Sequence, residues 1–98
     1  MQETEVLTTL SAIAQATRFK VLVMLTALSD PGMASSDIAD AVGVPRHLMS
    51  AHLAVLSRAG LVDTLKTGRT VTYTARRNVL RELADHLAGM ADGTERPS

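Results

Sequence analysis

A chain of 98 residues fits one domain that buries only about 60–65% of its unfolded surface, so pairing with a second copy would add stability. Its lack of cysteine excludes disulfides, thiol switches and thiolate metal sites, and its 46% hydrophobic content with one Phe, one Tyr and no Trp predicts an ordered core built from aliphatic side chains. Net charge is zero, yet residues 44–77 carry six basic residues against Asp63 alone, while the remainder holds four basic residues against nine acids. That asymmetry predicts one anion-facing surface.

The first residues, MQETE, are polar, and residues 1–5 are expected to be disordered. They offer no basic lead-in to an apolar block, so no secretory signal is expected. No apolar run approaches the roughly 20 residues that span a bilayer, and a cytoplasmic chain without membrane partners is the expectation. One folded domain is expected over 6–90. Val6, Leu7, Leu10 and Ile13 fall on one face of a first helix, too short and apolar to stand alone in water. Thr17 is the expected cap of a second helix, Arg18–Leu28, apolar around most of its circumference through Phe19, Val21, Leu22, Met24, Leu25 and Leu28 and therefore central. Ser29-Asp30-Pro31-Gly32 is a turn, and Met33-Ala34 is a candidate strand of one or two residues.

Ser35 or Ser36 is the expected cap of a third helix, with Asp37 favourable to its dipole and Ile38, Ala39 and Val42 inside. Gly43 makes a corner, and Pro45 suits the first helical position of the next segment. Helix, glycine turn and helix together read as a helix-turn-helix. In the following stretch, PRHLMSAHLAVLSRAG, Met49, Leu53 and Leu56 recur at helical spacing as one buried stripe. The other side presents Arg46, His47, Ser50, Ala51, Ala54 and Arg58 and has no acid of its own. A small, polar and basic helix face on a compact scaffold suits the major groove of DNA. Arg46, in the first turn, is placed to donate to guanine or to a phosphate; Ala51 and Ala54 could touch thymine methyls. His52, between Met49 and Leu56, either rims the core or meets the DNA backbone.

Gly60 ends this helix. Leu61–Lys66 and Arg69–Ala75 flank Thr67-Gly68, and Val71 and Tyr73 alternate with threonines, which is strand periodicity. The result is a hairpin whose tip is bracketed by Lys66 and Arg69, a wing able to reach phosphates or a minor groove. Arg76 and Arg77 either lie near the DNA backbone or face solvent. Asn78 is the expected cap of a last helix reaching about Met90, with Val79, Leu80, Leu83, Leu87 and Met90 as its stripe. The tail, 91–98, is expected to be disordered. Glu82 and His86 stand four apart, which suits a surface ion pair better than a metal site; with Asp85 they are the only weak metal candidates, and no metal or cofactor is expected. No phosphate loop and no nucleophile–base pair is readable, so an enzyme is not expected.

The expected architecture is mainly α with a small β-hairpin: a winged helix-turn-helix of about five helices. With ATRFKVLVML, SDIADAVGV, MSAHLAVLSRAGLV and KTGRTVTY, it resembles the ArsR/SmtB family of bacterial repressors from about Leu10 to Tyr73. The resemblance implies a homodimer joined through its first and last helices, here carrying Val6, Leu10 and Ile13 and Leu80, Leu83 and Leu87. It further implies binding to an inverted-repeat operator and release by an inducer. The departures concern sensing: Ala34 and Ser36 stand where metal-sensing members carry cysteines in the third helix. Asp85 and His86 are adjacent, unlike the Asp-x-His of zinc sensors, and persulfide sensing needs cysteines. Ala51 replaces a commonly basic residue. The DNA-binding half carries over, and the inducer is unknown. The expected function is therefore sequence-specific binding of double-stranded DNA by a dimeric repressor; the alternative is a winged-helix module that binds protein and not DNA.

Overall fold

The computed structural model describes residues 1–28 and 32–94. Within the described residues five helices and three short strands follow one another: α1 Glu3–Ile13, α2 Ala16–Thr26, β1 Met33–Ala34, α3 Ser35–Val42, α4 Arg46–Arg58, β2 Val62–Thr67, β3 Thr70–Ala75 and α5 Arg77–Ala91. The expected class, a mainly helical winged helix-turn-helix with a small hairpin, is the class observed.

α1 starts at Glu3, inside the stretch 1–5 expected to be frayed. The Glu5 carboxylate accepts from the Gln2 backbone N–H at 3.2 Å, which satisfies one of the donors a helix start leaves open. α2 starts two residues before the expected Arg18, and its cap is Gln15, not Thr17. Gln15 is extended, and its Oε1 accepts from the Arg18 N–H at 2.8 Å. The expected turn at Ser29–Pro31 lies outside the described residues, as do residues 95–98 of the expected disordered tail.

The sheet order is β1-β3-β2, all antiparallel, with Met33 opposite Tyr73 and Thr67 opposite Thr70. Gly32 holds β1 against β3: its φ is +86°, and a Cβ there would lie 2.7 Å from Thr74 Cγ2 and 2.9 Å from the Tyr73 carbonyl carbon. Only glycine fits that approach. α3 follows β1 without a break, so Ala34 occupies the N-cap and neither Ser35 nor Ser36 caps it. The hairpin turn is Gly68-Arg69, one residue later than expected, with Gly68 at φ +63°. A glycine in the first turn position with positive φ is what a tight hairpin of this hand requires.

The core joins Val21, Leu22 and Leu25 of α2, Ile38 and Ala39 of α3, Met49, Leu53 and Leu56 of α4, and Leu61 and Val62 at the start of the wing. Val21, Ile38, Met49, Leu56 and Leu61 are wholly buried. Each such side chain contributes roughly 1.5–3 kcal/mol, so α4 is fixed from beneath along its length. α5 joins this core only at its start, through Val79 and Leu80. Among the described residues no single helix is long and apolar enough to cross a membrane.

Candidate nucleic-acid interface

The presentation of α4 begins with the turn before it. Gly43, at φ +78°, closes α3 with its N–H on the Ala39 carbonyl at 2.9 Å, and the Val44 N–H reaches the same oxygen at 3.0 Å. Pro45 sits one position earlier than expected, as the N-cap, and its carbonyl accepts from the Leu48 and Met49 N–H groups, each at 3.0 Å. At the other end the Leu61 N–H bonds the Leu56 carbonyl at 2.9 Å across Gly60, whose φ is +75°. Both ends of α4 are therefore closed by backbone bonds.

Between them, Met49, Leu53 and Leu56 turn inward, and Arg46, His47, Ser50, Ala51 and Ala54 are all exposed. The structure thus brings together on one outer face five of the six α4 residues assigned to that side from the sequence; the sixth, Arg58, is exposed in the last turn. Their surroundings are less open than the helical wheel implies. Arg46 Nη2 lies 2.9 Å from Asp40 Oδ2, and Arg46 Nε lies 3.4 Å from Asp40 Oδ1. The Asp40 hydrogen bond and charge, with the charge of Asp37 behind it, push the Arg46 pKa up. Ser50 donates its hydroxyl to the Arg46 carbonyl at 3.2 Å, leaving its oxygen lone pairs outward.

His52 is half-buried, with Nδ1 3.4 Å from Arg18 Nη1. A guanidinium has only donors, so Nδ1 accepts in this pair. Arg18 also donates from Nε to the Ala12 carbonyl at 2.6 Å and from Nη2 to the Ser11 carbonyl at 3.3 Å. It therefore closes the end of α1 while touching α4, a linking role absent from the sequence reading.

In the wing, Lys66 and Arg69 are exposed, and neither has a partner among the described residues. The other two basic candidates are engaged within the fold. Arg76 Nε lies 3.7 Å from Asp63 Oδ1, and Arg77 Nη2 donates to the Leu28 carbonyl at 2.8 Å. Arg76, not Asn78, is the N-cap residue of α5, and it makes no side-chain cap bond.

The six residues expected between subunits divide by burial. Val6 and Leu83 are buried within the protomer, Leu10, Ile13 and Leu80 are half-buried, and Leu87 is exposed. Leu7 and Met90, each 58% exposed, extend the open apolar surface of α1 and α5. Glu82, Asp85 and His86 line a shallow recess with Met1, and no group of three His, Asp or Glu among the described residues is arranged to hold a metal ion.

Comparison with known proteins places this geometry. A family model described as a helix-turn-helix domain matches residues 13–64. The HTH-type transcriptional regulator KmtR of Mycobacterium tuberculosis is 38% identical over 71 residues, 72% of this chain and 52% of that protein. The chain therefore spans about half the length of this curated relative. Among solved structures, an ArsR-like transcriptional regulator from Rhodococcus sp. RHA1 superposes with a TM-score of 0.81 at 27% identity, covering 92% of this chain and 82% of that one. The homodimeric winged helix-turn-helix DNA-binding domain of Mb0332 from Mycobacterium bovis gives a TM-score of 0.72 at 28% identity, covering 91% and 80%.

Proposed function

Because the chain belongs to the ArsR/SmtB family of winged helix-turn-helix regulators, we propose that it acts as a dimeric repressor that binds an inverted repeat in duplex DNA. One observation carries this reading. The exposed face of α4 holds Arg46, His47, Ser50, Ala51 and Ala54, and three core residues lock that helix in place. Rigid presentation of a small polar and basic surface is what insertion into the major groove requires.

In this reading Arg46, His47 and Ser50 meet base edges, and Ala51 and Ala54 pass close to thymine methyls. Lys66 and Arg69 anchor the wing on phosphate. The homodimeric state of the M. bovis domain supports pairing; the reading puts that pairing at α1 and α5, where Leu7, Leu10, Ile13, Leu80, Leu87 and Met90 supply apolar surface left open in the protomer.

Selection of bound duplexes from a random pool, followed by titration across salt, tests the reading. One sequence should be enriched, and log affinity should fall linearly with log salt, with a slope of about −0.9 for each phosphate neutralised. A chain that retains no duplex above background leaves the protein-binding module as the better account.

A further inference from the structure

The pair between Asp40 and Arg46 is unexpected on a surface meant for an anionic ligand. An exposed carboxylate beside phosphates weakens binding by like-charge repulsion. Both side chains are open to solvent, 60% and 67% exposed, so the pair is not a core staple. Its backbone supports are rigid all the same. Asp40 follows the wholly buried Ala39, Arg46 opens the helix whose Met49 is wholly buried, and the turn between them is closed by the Gly43 and Val44 bonds to the Ala39 carbonyl.

The geometry of the contact matters. A guanidinium has five N–H donors in a planar fork. Asp40 takes the Nε edge, with Oδ1 facing Nε and Oδ2 facing Nη2. One hydrogen on Nη2 and both on Nη1 stay free on the outer edge. That remaining edge is itself a two-donor fork, which matches guanine O6 and N7. The pair as a unit carries no net charge and therefore has little to offer a phosphate. It keeps directional donors and loses monopole attraction, which favours reading a base over clamping a backbone.

We propose that Asp40 is a specificity-determining residue of the DNA-binding surface: it holds Arg46 by its Nε edge so that the outer edge reads a guanine in each half-site. This rests on the DNA-binding reading above and deepens it. Asp40 acts through Arg46 and lowers affinity for random DNA while raising preference for the operator.

The test uses the full chain with Asp40→Ala, Asp40→Glu, Arg46→Ala and the double variant Asp40→Ala/Arg46→Ala. Each is titrated with the wild-type-selected duplex, with that duplex carrying adenine at the guanine facing Arg46, and with random duplex. Wild type should prefer guanine by roughly five- to hundredfold, the range of a good two-donor contact. Asp40→Ala should lose most of that preference while binding random duplex more tightly, with a steeper salt slope by up to about one phosphate contact. Asp40→Glu, which keeps a carboxylate, should retain part of the preference. In the Arg46→Ala background, Asp40→Ala should cost no further preference. Melting temperatures of all four variants near that of wild type would show that folding is not what changes. Undiminished guanine preference in Asp40→Ala, or an equal gain on operator and random duplex, overturns the proposal. A wild-type chain that selects no sequence overturns the DNA-binding reading itself, and this inference with it.

Discussion

At the scale of single residues, position 32 and position 43 make a controlled comparison. Both glycines have positive φ, but a Cβ at Gly43 would meet nothing within 4 Å, whereas one at Gly32 would press into β3. Gly43→Ala should cost about 1–2 kcal/mol, the left-handed penalty alone. Gly32→Ala should cost more, roughly 3 kcal/mol or above, because the clash separates β1 from β3. Chemical denaturation of the two variants checks the order; equal losses would mean that the sheet tolerates a side chain at Gly32. Arg46→Ala should reduce preference for the selected sequence more than affinity for random duplex, measured by parallel titrations. Equal losses would make Arg46 a backbone contact. The inward stripe of Met49, Leu53 and Leu56 was legible because helical periodicity reports burial directly. The Asp40 contact was not, since it spans a turn whose geometry no periodicity encodes, and a helical wheel drawn for α4 alone has no place for a carboxylate from α3.

At the scale of elements, the boundaries moved where tertiary structure replaced side-chain capping. The N-cap residues of α3, α4 and α5 are Ala34, Pro45 and Arg76, and none of them makes a side-chain cap bond. The serines at 35 and 36 and Asn78 looked like caps because their chemistry suits the role, but pairing of β1 with β3 and closure of the turn fix the chain before those residues are reached. The wing was legible in outline and shifted by one residue, because the alternation of Val71 and Tyr73 sets the strand and Gly68 sets the turn. Lys66→Ala and Arg69→Ala should each weaken binding to all duplexes by a similar factor and flatten the salt slope by about one unit. A loss confined to one sequence would instead place the wing on bases. Arg18 links the end of α1 to α4, and Arg18→Ala leaves the Ala12 and Ser11 carbonyls and His52 without those donors. A stability loss of about 1–3 kcal/mol by denaturation is expected; no change would show that water replaces the link.

At the scale of the whole molecule, shape and surface point the same way. The radius of gyration is 14.5 Å and the extents are 46 × 23 × 20 Å, against about 13 Å for a compact chain of this length. Much of α5 lies outside the core, with Leu87 and Met90 exposed beyond Leu83. A helix so weakly held in the protomer is where the proposed pairing would bring the second copy. The apolar stripes of α1 and α5 were legible, but which of their residues remain open was not. Val6 and Leu83 share the periodicity of their neighbours yet are consumed inside the protomer, and Leu7 and Met90 are left out. The double variant Leu87→Glu/Met90→Glu should sediment as a folded monomer and lose operator affinity.

Binding of an inverted repeat requires two chains to face one duplex together. Sedimentation of the chain on its own selected duplex, with the protected bases mapped, measures this directly. Two chains per duplex are predicted, on inverted half-sites whose centres lie about one helical turn, or a multiple of it, apart. A single chain bound to one isolated half-site, at any concentration that saturates the duplex, would contradict it.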